Sequence, residues 1–335
     1  MLFRSAIESL KEKKFEESDL SDFNNFKNKI YKDKFETHAR NAADMLDVFN
    51  KSVTTDYKLD DVKSHIAKSG FDGDVVLVGT NMKKETIDKL TSLGVRLSLY
   101  GNKNEAGDVE AKSGLPPHVE RFFYIWDFLS KTKETYNHVI VTDTRDVIFQ
   151  TNPSDWLKEN MWVHELVAAS EGMRYKNEPW GNTNLFQSFG GYFHNKLKEN
   201  YIFNVGVIAG TQIYVTSLML MIFQMSLGRP IPITDQSTFN FLINTKPYSD
   251  ASYMTTVDDS WAVQLGTTQA ALDAGHGDIG KDEEAKAKYK EAFLGSQPVI
   301  NGSEVTNASG EKYVIVHQWD RIPTLMTEVV NRYGS

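Results

Sequence analysis

Apolar residues over the first 70 positions recur at helical spacing among many charges, with Leu20, Phe23, Phe26, Ile30 and Tyr31 making one sticky face. The pattern predicts two or three helices over 1–70 that pack on a main domain, with a regulatory or partner-binding arm as the alternative. The character changes at Phe71-Asp-Gly-Asp74. Val75 to Val78 read as a buried strand ending at Gly79-Thr80-Asn81. A helix follows with Ile87, Leu90 and Leu93 inward and Gly94 as its stop. Val95, Leu97 and Leu99 then alternate with Arg96, Ser98 and Tyr100, which is a second strand. Such a β-α-β opening belongs to a parallel sheet whose first strand-to-helix turn receives a nucleotide. The turn lacks the full Gly-X-Gly-X-X-Gly fingerprint and so gives no ground for a dinucleotide cofactor.

Pro116-Pro117 opens another helix, with an apolar face at His118 or Val119, Phe122, Ile125, Trp126 and Leu129 and a polar side at Arg121 and Asp127. Val139 to Val141 read as a central strand covered on both faces, and the run stops at two carboxylates, Asp143 and Asp146. In open α/β sheets ligands bind beyond the carboxyl ends of the strands, and a hard divalent cation carrying a diphosphate explains acids there better than packing does. The packing alternative has Asp143 capping a turn and Asp146 paired with Arg145. Leu166 to Ser170 is a strand running into Glu171-Gly172. Residues 172–200, rich in aromatics, Gly and Asn (Tyr175, Trp180, Phe186, Tyr192), read as a loop. It is either an acceptor loop that stacks on sugars or a packed excursion of the core.

Phe203-Asn-Val-Gly-Val-Ile-Ala-Gly-Thr211 sets Asn204 and small residues in an apolar strand, which implies close approach to the backbone. A helix over about 212–227 follows, its methionines serving as core filler. Thr234 is placed to cap a helix beginning Asp235-Gln236. Residues 278–291 read as a solvated charged helix, and Gly275-His276-Gly277 as a flexible loop. Tyr313-Val-Ile-Val-His317 is a late strand ending in a histidine.

Composition narrows the function classes. The chain has 335 residues, 40% of them hydrophobic and 12% aromatic, with a net charge of −8. That length buries a large core, and the negative balance without a basic cluster argues against nucleic-acid binding. The absence of cysteine excludes disulfides, thiolate zinc sites and cysteine nucleophiles. Charges from Glu8 to Lys14 interrupt any signal-peptide core, and Val215–Leu227 is too polar and short for the ~20 apolar residues of a membrane span. A cytoplasmic protein is therefore expected.

The segment Asp143-Thr-Arg-Asp146 resembles the acidic region of GT-A-fold glycosyltransferases, which use nucleotide sugars. Its spacing departs from a strict Asp-X-Asp, so either acid or both are candidates to touch the metal. Asn204-Val-Gly-Val207 is similar to that family's Asn-Ala-Gly-Val segment, Asp235-Gln236 to its Asp-Gln pair, and His317 to its late histidine. Over about residues 71–325 these motifs come in the family's order.

The resemblance implies an α/β, GT-A-like (Rossmann-related) fold, a mixed, mostly parallel sheet with flanking helices. Residues 1–70 would be a helical addition, 71–150 the nucleotide-binding half and 151–335 the acceptor and catalytic half. It implies Mn²⁺ or Mg²⁺ held by Asp143, Asp146 and His317. The donor would be a nucleoside diphosphate sugar, UDP in preference to GDP, contacted by Gly79, Thr80, Asn81, Tyr100, Arg121, Asp143, Asn204, Gly206 and Arg321. For Arg121, a surface ion pair with Glu120 or Asp127 is the alternative. The acceptor would be a glycan hydroxyl, with Tyr175 and Trp180 against the sugar. In an inverting reaction Asp235 or Glu171 serves as base; in a retaining one, Asp235 and Gln236 lie on the other face of the sugar. The sequence does not choose between the two courses, and the Asn-Val-Gly-Val and Asp-Gln pattern leans only slightly to retention. A haloacid-dehalogenase-type phosphatase and a binding protein without turnover are the rival readings.

Overall fold

The computed structural model describes residues 59–333 except residue 278. The expected helices of residues 1–58 lie outside the described residues. The last helical stretch of the expected 1–70 segment is α1 (Leu59–Lys68). Its His65 is buried, stacked on Phe149 at 5.7 Å and edge-on to Tyr333. Burial alone pulls the pKa of this histidine down to about 3, so its ring is a neutral piece of core.

The β-α-β opening is present as β1 (Val76–Gly79), α2 (Lys84–Ser92) and β2 (Arg96–Leu99), with the two strands parallel. β1 is half-buried rather than buried, and Val75 stands outside it, exposed. Next come α3 (Pro117–Lys131), β3 (Val139–Thr142), β4 (Val147–Phe149), α4 (Pro153–Asn160) and β5 (Leu166–Arg174). They are followed by α5 (Pro179–Leu197), β6 (Tyr201–Gly210), α6 (Gln212–Ser226), α7 (Asp235–Ile243) and β7 (Ser252–Thr255). The chain finishes with β8 (Ala262–Gln264), α8 (Glu283–Ala292), β9 (Ile315–His317) and α9 (Pro323–Tyr333).

The main sheet has the order β3-β6-β5-β7, antiparallel at its first two pairings and parallel at the third. A second sheet has the order β8-β9-β4, parallel then antiparallel. Side-chain alternation explains why the main strands are apolar throughout. Leu166 and Ala168 of β5 face a cluster formed with Phe122, Leu218, Ile222 and Phe239 of α3, α6 and α7. Val167 and Ala169 face the opposite cluster, built with Phe149, Trp261 and Ile315 of the second sheet and its approaches. The second sheet on one face and the helices on the other thus clamp β5 and β6 between them. Among the described residues no helix is long and apolar enough to cross a membrane.

Two local expectations need correction. β3 was expected to be central, but it is half-buried at one end of the main sheet. Residues 172–200 are not a loop. β5 continues to Arg174, and α5 fills most of the remainder. Pro179 stands in its first turn and the Glu178 carboxylate accepts from the amides of Trp180 and Gly181, which is an N-terminal cap. Gly190, at φ 75° and ψ 173°, breaks the helix, so its two halves carry different apolar faces and no single 3.6-residue period runs through the segment. The helix over 283–292 is charged and largely exposed, as its sequence predicts.

Candidate active site

The chain leaves the main sheet at Thr142 and enters the second sheet at Val147, so Asp143 and Asp146 stand at the crossing between them. His317 ends β9 and is the register partner of Val147. Three ligand-type side chains from the ends of three strands therefore converge. Asp143, Asp146 and His317 each offer an atom within 4.8 Å of the others. His317 Nε2 lies 3.6 Å from Asp143 Oδ2 and 3.6 Å from Asp146 Oδ1.

β6 supplies the floor by interrupting its own regularity. Its pairing with β5 shifts between Ala168 and Ser170, an irregularity that re-aims side chains as bulges do. Within it, the Asn204 side-chain oxygen accepts from Gly206 N at 2.7 Å, a local turn that competes with the sheet ladder. Gly206 O in turn accepts from Asp143 N at 2.9 Å. A methyl group on Gly206 would lie 2.4 Å from the His317 ring and 3.0 Å from Asp143 Oδ2. The close approach read from Asn204-Val-Gly-Val207 is therefore to these candidate ligands.

Arg121 on α3 reaches across. One guanidinium nitrogen donates to Asp143 Oδ1 and another to Asp235 Oδ2 at 3.1 Å. The arginine is thus paired within the site, not with Glu120 or Asp127 on the surface. Arg145 lies 4.0 Å from Asp146 but 3.0 Å from Asp320, so the simple Arg145–Asp146 pair is not the main contact. Arg321 approaches Asp146 at 3.8 Å. Burial pushes the Asp143 carboxyl up, but Arg121 and His317 together hold it well below the usual carboxylate range. Asp146 is likewise lowered, because the His317 interactions outweigh its burial. His317 shows the reverse balance: burial pulls it down, while the two carboxylates lift it to about 9.

Arg121, Asp143, Asp146, Trp180, Asn204, Gly206, Asp235, Gln236, His317 and Arg321 line one open pocket. Ile233 and Gln318 line it as well and were not singled out in the sequence, and so does His118, expected only as an alternative to Val119 on the apolar face of α3. Only Gln318, adjacent to His317, offered a local clue. Glu171 lies behind this wall, where its Oε1 accepts from Asn204 Nδ2 at 2.7 Å and Gln236 Nε2 at 3.0 Å. Gly79, Thr80, Asn81 and Tyr100 sit at and beyond the ends of β1 and β2 and do not line this pocket. Tyr100 stacks on Tyr124 of α3 at 4.4 Å, and the Asn81 side-chain oxygen accepts from Ala111 N. Tyr175 is a correction: it is fully buried in a cluster with Met173, Leu185 and Ile202, where no acceptor can stack on it. The Thr234 hydroxyl makes no cap hydrogen bond, although the residue precedes α7 as expected.

Burial, reinforced by the charge of Glu178, pushes the Glu171 carboxyl up to about 7 despite the two amide donors. The folded chain therefore holds this proton more tightly than the unfolded chain, whose group titrates near 4.5. The Glu171 contribution to stability is fully present below that value and is lost as pH rises to about 7. Glu171→Gln keeps an acceptor oxygen and removes the titration. It is expected to flatten stability between pH 5 and 8 and to be the more stable form at pH 8, by about 3 kcal/mol at 1.36 kcal/mol per unit. Urea unfolding at the two pH values measures this; parallel curves for variant and wild type would refute it.

No protein-family model matches the sequence, and no curated protein matches it. Among solved structures, the chain is similar to the apo form of the bifunctional glycosyltransferase WbbM, with a TM-score of 0.46 and 12% identity over 82% of this chain and 46% of that one. It therefore spans less than half of the WbbM chain. It is similar to the galactosyltransferase LgtC in complex with donor and acceptor sugar analogues, with a TM-score of 0.40 and 12% identity over 77% of this chain and 81% of that one. For mouse xyloside xylosyltransferase 1 in its apo form the TM-score is 0.40 and the identity 12%, over 79% of this chain and 94% of that one. Similarities of this size leave the functional argument to the chain's own site.

Proposed function

We propose that this chain is a metal-dependent glycosyltransferase of GT-A type, which moves a sugar from a nucleoside diphosphate donor to a carbohydrate hydroxyl. The observation that carries the reading is the convergence of Asp143, Asp146 and His317 over the side-chain-free Gly206. Two carboxylates and an imidazole suit Mn²⁺ or Mg²⁺, and Gly206 leaves the space that such an ion and a diphosphate need. A cation held there would supply charge neutralisation at the leaving diphosphate.

The chain's own residues do the rest. Arg121 and Arg321 flank the acids and would bind phosphate oxygens, Arg121 exchanging part of its hold on Asp143 for the donor. Tyr124 follows Arg121 by one turn of α3 and stacks on Tyr100, so the nucleoside would lie toward Thr80, Asn81 and Tyr100. Asn204 and Gly206 would border the donor sugar. Glu171 takes the Gln236 amide nitrogen, which leaves the Gln236 carbonyl oxygen for the anomeric centre. Asp235 is engaged by Arg121 and Glu171 stands behind the wall, so neither is free to deprotonate an acceptor in this arrangement. This favours retention, with the leaving phosphate taking the acceptor proton. Trp180, half exposed at the rim, would stack on the acceptor.

The test is thermal stabilisation with UDP, GDP, CMP and dTDP, each with Mn²⁺ and with EDTA. A donor-type ligand present at 100 times its Kd stabilises by about 2.7 kcal/mol, enough to raise the melting point visibly. A shift with one diphosphate, UDP as the expected one, that vanishes in EDTA is the predicted result. No shift with any of the four would return the site to the phosphatase or turnover-free reading.

A further inference from the structure

Resting on the metal-site reading, we infer that Gln264 is a positioning residue that fixes which nitrogen of His317 faces the cation. Gln264 is the last residue of β8 and the register partner of His317 in the parallel pairing of β8 with β9. Both side chains are buried, Gln264 completely. Gln264 Oε1 lies 2.6 Å from His317 Nδ1. An amide oxygen only accepts, so Nδ1 carries the hydrogen and donates it. Nε2 faces Asp143 and Asp146, and with Nδ1 keeping its hydrogen on Gln264 it is the nitrogen that gives up its proton to a cation entering between the ring and the two acids. With the amide turned over, its NH₂ would donate to Nδ1 and the proton would sit on Nε2, between the ring and the carboxylates.

Stability alone does not account for this glutamine. Its Nε2 is buried with no hydrogen-bond partner among the described residues, an arrangement that costs free energy a methionine of similar shape would not incur. The oxygen is the half of the amide that is used. Metal-binding histidines are commonly held in this way by an acceptor on the far nitrogen.

The backbone around His317 is secured separately. Gly266 N donates to Gln318 Oε1 at 3.0 Å, and Gln318 N donates to Asp146 O at 2.7 Å. Gln318 adopts a left-handed conformation, φ 61°, in doing so. Loss of the Gln264 oxygen would therefore free the ring without releasing the chain.

The experiment measures Mn²⁺ affinity of the full chain, stripped of metal, by the electron paramagnetic resonance of free Mn²⁺. Gln264→Met should weaken binding about 10- to 100-fold, as losses of such supports do. Gln264→Glu, which keeps an acceptor, should bind at least as tightly as wild type, and both variants should melt near wild type in EDTA. Wild-type affinity in Gln264→Met, or a loss in Gln264→Glu equal to that in Gln264→Met, would overturn the inference while leaving the metal site standing. No Mn²⁺ binding by the wild-type chain would overturn the metal reading and the inference together. If the methionine variant does not fold, the ¹⁵N shifts of His317 in the Zn²⁺-loaded wild type decide: hydrogen on Nδ1 supports the assignment and hydrogen on Nε2 refutes it.

Discussion

Asp146→Ala is expected to lower metal-dependent sugar transfer by about 10³-fold, taking several kcal/mol of charge stabilisation at 1.36 kcal/mol per decade. The carboxylate is 7% exposed and supplies one of the two oxygens facing His317 Nε2. Its removal leaves an imidazole and a single acid that is already shared with Arg121. The fold should survive. The contact made by Asp146 to Gln318 runs through its backbone oxygen, and Val147 keeps its place opposite His317. Transfer rate, Mn²⁺ titration and melting temperature are read on the same preparation. Full turnover with unchanged metal demand would remove Asp146 from the site.

Gly206→Ala should do comparable damage with one methyl group and no change in charge. The added carbon would stand 2.4 Å from His317 Cε1, 2.9 Å from Asn204 Oδ1 and 3.0 Å from Asp143 Oδ2. None of the three can retreat cheaply. His317 is backed by Gln264, Asn204 is held by Glu171, and Asp143 by Arg121. Gly206 is not among the residues of positive φ, so the penalty is steric and not conformational. Overpacking of this kind destabilises by about 1–3 kcal/mol, and relief by moving the His317 ring would break the ligand geometry. Urea unfolding together with Mn²⁺ titration should register a loss in both. A variant equal to wild type in each would mean that the neighbours shift freely, contrary to their bonding.

What was legible in the sequence is what strand ends and glycines mark locally. Asp143 and Asp146 interrupt an apolar run, and that interruption is the place where the chain passes from one sheet to the other. Asn204 and Gly206 are misfits in an apolar strand because the Asn204 side chain bonds the Gly206 amide there and the bare Gly206 lets His317 and Asp143 come close. His317 was readable only from its order behind the other motifs. Gln264 was invisible, since nothing near it in the chain announces a contact that only the β8–β9 register creates. Tyr175 and α5 were misread for a related reason. An aromatic, glycine-rich composition suits a binding loop and a broken, core-facing helix equally well, and the choice lies with the Glu178 cap and the Gly190 break. The edge position of β3 was equally hidden, because a short apolar run does not say how many neighbours it has.

The way the ligand residues are distributed also bears on how the protein matures. Asp146 immediately precedes one strand of the second sheet and His317 closes its neighbour, so the two meet only when the long stretch of chain between them, which carries β5, β6 and β8, has closed into a loop. Pairings this distant in sequence form late, after the loop-closure entropy has been met. On a half-folded chain a cation would find only the local Asp143–Asp146 pair, and the full set of three would wait for His317. A cation bound by all three would act as a latch on the finished structure, with most of its binding energy opposing escape from the native state and not guiding the search for it.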